Sequence, residues 1–481
     1  MAKRWWILFS AFMVLWCAPA GAATIVVTTL ADEQNLNSRC SLREAMINAN
    51  LDTQSGSPDC QAGSGADIIV FSDDLTGTLT LGSPLPDIDQ NLTIKGRTDW
   101  SIEISGNYLV GIFEISQGGP TVNLQHLVIA KGSTPNGGGV RANSGVVLNI
   151  DRCRFTENFA RLATYGGAVL NYKGTVNITD SEFLNNWADI GGAIDSDGTL
   201  IVKNCTFQGN EARVGSGISN GGTADIADSK FESNKIQHSG GGISNSGELI
   251  LRNSTITGHE TDTGQGGGIS NLGKAELEGV TIRNNRAGLG GGIYNSGTLV
   301  LTATSVEGNR AECSGGGIYN SENGWLDLKG DKGFCQIVNN EAVNDGGGIY
   351  SYKATVTISN GDIFGNHSLG ASGGGICNYE GSLEIRATAF SHNAAQKGGG
   401  LFSSNDVMLY GAFFSENRAY GSGAGVFLSG GRKNHMEDVT FSKNEAEKDG
   451  AGIYNEGTLI LTKGKFTKNT NISGMGGGDR K

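Results

Sequence analysis

The chain has 481 residues, of which 77 are Gly and six are Pro, and 37% are apolar. Collagen is excluded, because it needs a strict three-residue Gly period with abundant Pro, and the apolar content is too high for a disordered Gly-rich linker. A formal net charge of −12 argues against nucleic acid as a partner, since phosphate binding needs a basic face.

In chain order, residues 1–22 read as a signal peptide. Lys3 and Arg4 form a basic start, Trp5–Trp16 an apolar core, and Ala20-Gly21-Ala22 a small-residue cleavage site. A core of about a dozen residues is too short to span a bilayer, which needs about 20. No later segment is long and apolar enough for a transmembrane helix. Bulky Trp16 precedes Cys17, which makes Cys17 a poor lipidation site. The expectation is Sec-type export, to the outer membrane and cell surface or beyond it.

Residues 23–135 read as an N-terminal cap followed by irregular first coils. Ser41 followed by Glu44 is a capping box, and Leu42, Ala45, Met46 and Ala49 share one helical face. A short helix here would cover an open strand edge, which otherwise invites aggregation. Cys40 and Cys60 bracket this helix and the turn-rich Ser57-Pro58-Asp59, and in an exported protein they are expected to pair. The segment 24–135 holds five of the six prolines and no F-x-x-N step. Apolar alternation persists in Leu79/Leu81, Leu92/Ile94 and Ile102/Ile104.

Residues 136–481 repeat, about 13 times, three marks in fixed order. The first is a Gly-rich turn ending in an apolar residue, as at Ile218, Ile243, Ile269, Ile293, Ile318 and Ile349, with most spacings between 24 and 27. The second is a short alternating strand such as Leu299-Val300-Leu301. The third is an F-x-x-N step, as at Phe155/Asn158, Phe207/Asn210 and Phe414/Asn417. A period of about 25 residues with three short strands is too short for a propeller blade and lacks the helices of ankyrin or tetratricopeptide repeats. It fits one coil of an all-β, single-stranded parallel β-helix, right-handed because parallel crossovers are. No proline follows Pro135, as expected where nearly every strand is central and must donate to a ladder. The glycines are expected to supply positive φ or close approach, and the Asn of F-x-x-N to take the left-handed bend or to stack as a ladder. Cys153 and Cys205 hold equivalent places two coils apart, too far for a bond. Cys313 and Cys335 occupy different places in their coils, which disfavours a second disulfide.

Two resemblances follow from these residues. CSLREA at 40–45 resembles the N-terminal signature of bacterial CSLREA-domain proteins. The alternating Gly turns and F-x-x-N steps resemble the repeats of chlamydial polymorphic outer membrane proteins. The resemblance implies a pectin-lyase-like β-helix at the cell surface, often an adhesin passenger. Family members commonly continue into a translocator barrel. Here the chain closes on Met475–Lys481, the opening of another Gly turn, so either truncation or release without an anchor is expected.

Two candidate sites compete. Asp195 and Asp197, in GGAIDSDG, would share one strand face about 7 Å apart, near the spacing used in paired-carboxylate glycoside hydrolysis. Solvated turn acids or a Ca²⁺ site would use the same oxygens, and no Lys or Arg base stands beside them by any recognisable spacing. This is the alternative reading, a polysaccharide-active lyase or hydrolase. The other candidate is the residue after the apolar one in each Gly turn, which should point outward. It becomes Tyr294, Tyr319, Tyr350, Cys377, Phe402, Phe427 and Tyr454 in the second half, a column of aromatics suited to contact. The leading expectation is therefore a monomeric, non-catalytic binding protein without cofactor or metal. Its partner would be a host, neighbour-cell or matrix protein or glycan.

Overall fold

A computed structural model describes residues 21–330, 333–430 and 433–473. The expected signal peptide lies outside the described residues except for its last two positions, and the closing Gly turn at 474–481 lies outside them too. The chain is a right-handed parallel β-helix. Among the described residues, three long sheets of 17, 16 and 14 strands run along it, here called A, B and C. Each strand pairs in parallel with its equivalent in the next coil.

One coil shows the plan. Ile293–Asn295 belongs to sheet C, Thr298–Thr302 to sheet A and Ser305–Glu307 to sheet B. A fourth strand, Arg310–Ala311, follows the F-x-x-N step and belongs to a shorter eight-stranded sheet D. The sequence pattern shows three strands per coil and not this fourth, because a two-residue strand carries no alternation. Register is kept from coil to coil: Ile293 opposes Ile318, Tyr294 opposes Tyr319, and Asn295 opposes Asn320.

The bore is filled by columns of equivalent residues. Phe155, Phe183, Phe207 and Phe231 are fully buried and stack with ring centroids 4.9, 4.8 and 4.7 Å apart. Ile256, Ile282, Val306, Ile337 and Ile363 continue the column, and rings resume from Phe390 to Phe441. Burying each such side chain contributes about 1.5–3 kcal/mol, repeated coil by coil.

The Asn of F-x-x-N forms the expected ladder. Asn210 Nδ2 donates to Asn234 Oδ1 at 3.0 Å and to the Phe183 carbonyl at 2.9 Å, while its backbone N–H also donates to Asn234 Oδ1. The same pattern runs from Asn158 to Asn234 and from Asn285 to Asn469. These Asn residues do not take the left-handed bend; the residue before each of them does, as at Glu157, Asn185, Ser233 and Asn284. The bend brings the Asn side chain inward, where it satisfies the buried backbone. One rung differs. His259 replaces Asn, accepts from Asn234 N–H through Nδ1 at 3.0 Å, and leaves Nε2 buried without a hydrogen bond.

A second ladder, missed from sequence, uses the last letter of GGGIYN. Asn220, Asn245, Asn271 and Asn295 are buried, and each donates to the next coil's Asn Oδ1 at 2.7–2.8 Å.

At the N-terminal end, β1 (Thr24–Val27) starts sheet A and pairs with Asp67–Phe71. The cap helix α1 (Leu42–Leu51) opens with the full Ser41/Glu44 capping box and buries Leu42, Ala45, Met46 and Ala49 against the core of the first coils. Cys40 and Cys60 form a disulfide. Arg43 locks the helix to the preceding loop through Asp32 at 2.8 Å and to the carbonyls of Ser83 and Pro84.

Candidate functional site

The geometry of the outer column follows from the Gly turn. Gly290 has φ 62°, and a Cβ there would stand 2.2 Å from the Ile293 carbonyl oxygen. At Gly315 it would meet Tyr319 Cα at 2.8 Å, and at Gly423 it would meet Phe427 Cβ at 2.7 Å. The turn therefore folds back across the outer face of the strand that follows it. Ile points into the bore, Asn points inward to its ladder, and the residue between them stands in a shallow crevice beside the turn. That crevice runs along the helix, one residue per coil.

The aromatic residues lie in this crevice and not in the bore, and Phe402 and Phe427 form a cluster of their own with Cys377, Tyr350 and Tyr454. They divide into two stacks. Tyr294 and Tyr319 stack with ring centroids 5.4 Å apart, and Tyr350 follows at 5.0 Å with its ring tilted by 34°. Phe402, Phe427 and Tyr454 stack at 5.5 and 4.7 Å. Cys377 separates them.

The expected exposed strip is thus only half present. Phe402 and Phe427 are 8% and 2% exposed, and Cys377 is 1% exposed. Stacking, the flanking turn and Lys397, whose Nζ lies 5.2 Å from the Phe427 ring centroid, close them off. These two Phe residues are packing residues and not contact residues. Tyr294, Tyr319, Tyr350 and Tyr454 remain half-buried. In the tyrosine stack neighbouring ring faces cover one another, so the side that meets solvent is the ring edge with its hydroxyl. Burial raises the Tyr319 and Tyr350 pKa above the ordinary tyrosine value, so both hydroxyls stay protonated at physiological pH.

Two further tyrosines join this face. Tyr352 follows Tyr350 by two residues on the same strand, and it pairs in register with Tyr379, ring centroids 6.1 Å apart. Lys353 Nζ lies 5.0 Å from the Tyr352 ring centroid and 3.8 Å from a Glu380 oxygen. The sequence signal was the i, i+2 spacing of aromatics in IYSY and the tyrosine at the same place in ICNY.

The carboxylate pair is arranged differently from expectation. Asp195 occupies the same crevice column but is only 6% exposed, between Leu170 and Ser219 of adjacent coils. Asp197 lies past the end of the strand, in an exposed turn. The strand stops at Ser196, so the i, i+2 rule does not carry both acids onto one flat face. Burial pushes the Asp195 carboxyl up to about 7, opposed by a hydrogen bond from Ser219 and assisted by the charge of Asp197. Among the described residues, no three His, Cys, Asp or Glu side chains gather as a metal site.

Cys153, Cys205, Cys335 and Cys377 are buried and free, and Cys313 is exposed and free. Cys313 and Cys335 do not bond, since one faces solvent and the other the bore. Burial pushes the Cys153 and Cys205 thiols up to about 12, which keeps them protonated and inert.

Residues 110–287 match the family model of a right handed beta helix region, and residues 438–456 match that of the Chlamydia polymorphic membrane protein repeat. Neither match reaches the CSLREA stretch. No curated protein matches the chain. Among solved structures, a mannuronic acid specific polysaccharide family 6 lyase enzyme from human gut microbiota is 12% identical with TM-score 0.45, over 76% of this chain and 86% of that chain. PfbA, a surface adhesin of Streptococcus pneumoniae, is 10% identical with TM-score 0.23, over 90% of this chain and 88% of that chain. At such identities and superpositions these likenesses lend no function to this chain.

Proposed function

We propose that this chain is an exported, non-catalytic binding protein whose sheet C face contacts a host, neighbour-cell or matrix molecule. The observation that carries this reading is the tyrosine face of Tyr294, Tyr319, Tyr350, Tyr352 and Tyr379, outside the bore and open at its hydroxyl edge. A bore residue would have no reason to keep a polar tip at the surface, and tyrosine is the residue type that combines apolar area with such a tip. The CSLREA stretch and the polymorphic-protein repeat support export to the cell surface. The test is binding of the purified chain to cells, matrix proteins and a glycan panel. Tyr319→Ala combined with Tyr350→Ala should abolish binding while the circular dichroism spectrum is kept. Unchanged binding by that variant would overturn the reading.

The second reading, a polysaccharide lyase or hydrolase, is favoured by one observation. Asp195 is a buried carboxyl with a raised pKa beside a second acid, the environment of a general acid. Depolymerisation of a polysaccharide panel, lost in Asp195→Asn and Asp197→Asn, would establish it in place of the first.

A further inference from the structure

The hydroxyls of Tyr294, Tyr319 and Tyr350 hydrogen-bond to no described protein group, and none of them is sealed from solvent. They repeat at the coil spacing, with rings 5.4 and 5.0 Å apart. Because the ring faces cover each other, a ligand approaching from the side meets a row of neutral donor–acceptor groups and not an aromatic platform. The row itself carries no cation. Lys353, at its edge, is engaged by Tyr352 and Glu380. A polyanion would need unpaired basic groups here, and an apolar protein surface would need ring faces.

We infer that the hydroxyl edge of Tyr294, Tyr319 and Tyr350 binds an uncharged linear glycan lying along the helix axis, one sugar unit per coil. This rests on the binding reading given above and narrows it to one ligand class. The chemistry matches: an extended neutral glycan offers hydroxyls as both donors and acceptors, on a repeat close to the length of one pyranose unit. The coil rise of about 4.8 Å is of that size. Neighbouring units would then meet neighbouring tyrosines in register.

The experiment uses substitutions that remove only the hydroxyl. Tyr319→Phe and Tyr350→Phe keep the ring, the stack and the packing. The full chain and these variants are titrated with neutral linear oligosaccharides of two to six units, with polyanionic oligosaccharides and with matrix proteins. The expected result is selective binding of neutral linear chains, tightening up to about three units and then level. Each Tyr→Phe change should weaken it roughly three- to tenfold, the size of one net hydrogen bond. If a partner is bound, and Tyr→Phe leaves its affinity unchanged while Tyr→Ala abolishes it, the glycan inference is overturned and the binding face stands. Binding of polyanions or proteins alone has the same consequence. If nothing binds and Tyr→Ala changes no cell or matrix adhesion, both readings fail.

Discussion

His259 interrupts the inner Asn ladder, and replacing it by Asn should strengthen the protein. At the equivalent rung, Asn210 Nδ2 donates both to Asn234 Oδ1 and to the Phe183 carbonyl. Asn234 keeps only the second of these bonds, to the Phe207 carbonyl at 3.1 Å, because an imidazole and not an amide oxygen lies above it. His259 Nδ1 accepts from the Asn234 N–H, so the ring proton sits on Nε2, which is buried without a partner. His259→Asn would supply an Oδ1 above Asn234 and an Nδ2 below Asn285, and would remove the orphan donor. Two net hydrogen bonds at about 1 kcal/mol each, less a packing loss for the smaller side chain, give a gain of about 1–2 kcal/mol at neutral pH. The acid response sharpens the test. Burial lowers the His259 pKa to about 4, against weaker opposition from the carbonyls of Asn234 and Phe231. Between about 4 and the ordinary value of 6.5 the unfolded chain takes up a proton that the folded chain refuses. Stability is therefore complete above 6.5 and falls as pH drops through this window, by about 3 kcal/mol in all. The assay is urea unfolding from pH 8 to pH 4.5, with hydrogen exchange on peptides covering 234–285. The Asn variant should be more stable at neutral pH and should lose this acid dependence. No gain at neutral pH together with an unchanged acid slope would refute the reasoning.

Asn309→Ala should cost about 3–5 kcal/mol in denaturant unfolding, because it strands the Asn285 N–H in the core and removes the amide hydrogens that reach Asn340 Oδ1 and the Ile282 carbonyl. Opening the Cys40–Cys60 bond by Cys→Ser at both positions should destabilise the cap by about 3 kcal/mol. This would be read as early protease cleavage around α1 while the distant coils stay protected. Asp195→Asn should stabilise the protein at alkaline pH. The carboxyl is held near 7, well above its ordinary 3.8, so wild-type stability is full below about 3.8 and is lost as pH rises through 7. The Asn variant should show no such loss in thermal melts between pH 5 and pH 8.5.

The repeat and its bore columns were legible because Ile293, Leu299 and Val306 recur at a constant period and point the same way in every coil. The helical cap was legible because Ser41, Glu44 and the Leu42–Ala49 face are local signals. What stayed hidden depends on contacts between coils. Asn295 reads as a turn residue at the end of a strand, yet it is a buried rung, and only stacking shows this. His259 reads as a break in the F-x-x-N pattern, because Ile256-Thr257-Gly258-His259 shares neither outer letter with it. Outward direction was right for Phe402 and Phe427, but exposure was not. Crevice depth is set by the Gly turn folding back, a tertiary property that residue spacing does not encode. The burial of Asp195 is hidden from residue spacing for the same reason.

The inner Asn ladder has a direction. From Asn158 to Asn234, and again from Asn285 to Asn469, each shared amide oxygen faces the N-terminal coil, and each Asn below it sends one Nδ2 hydrogen toward the C-terminal coil while the other turns back to a carbonyl of the preceding coil. Amides aligned head to tail polarise one another, strengthening each bond by about 10–30%. Their dipoles sum along the axis instead of cancelling. The ladder is thus polar along the axis, although its lowest oxygen, on Asn158, is buried and takes the Gly132 N–H. His259 divides this polar wire into a short segment and a long one, so a disturbance started at one end meets its weakest joint at that ring.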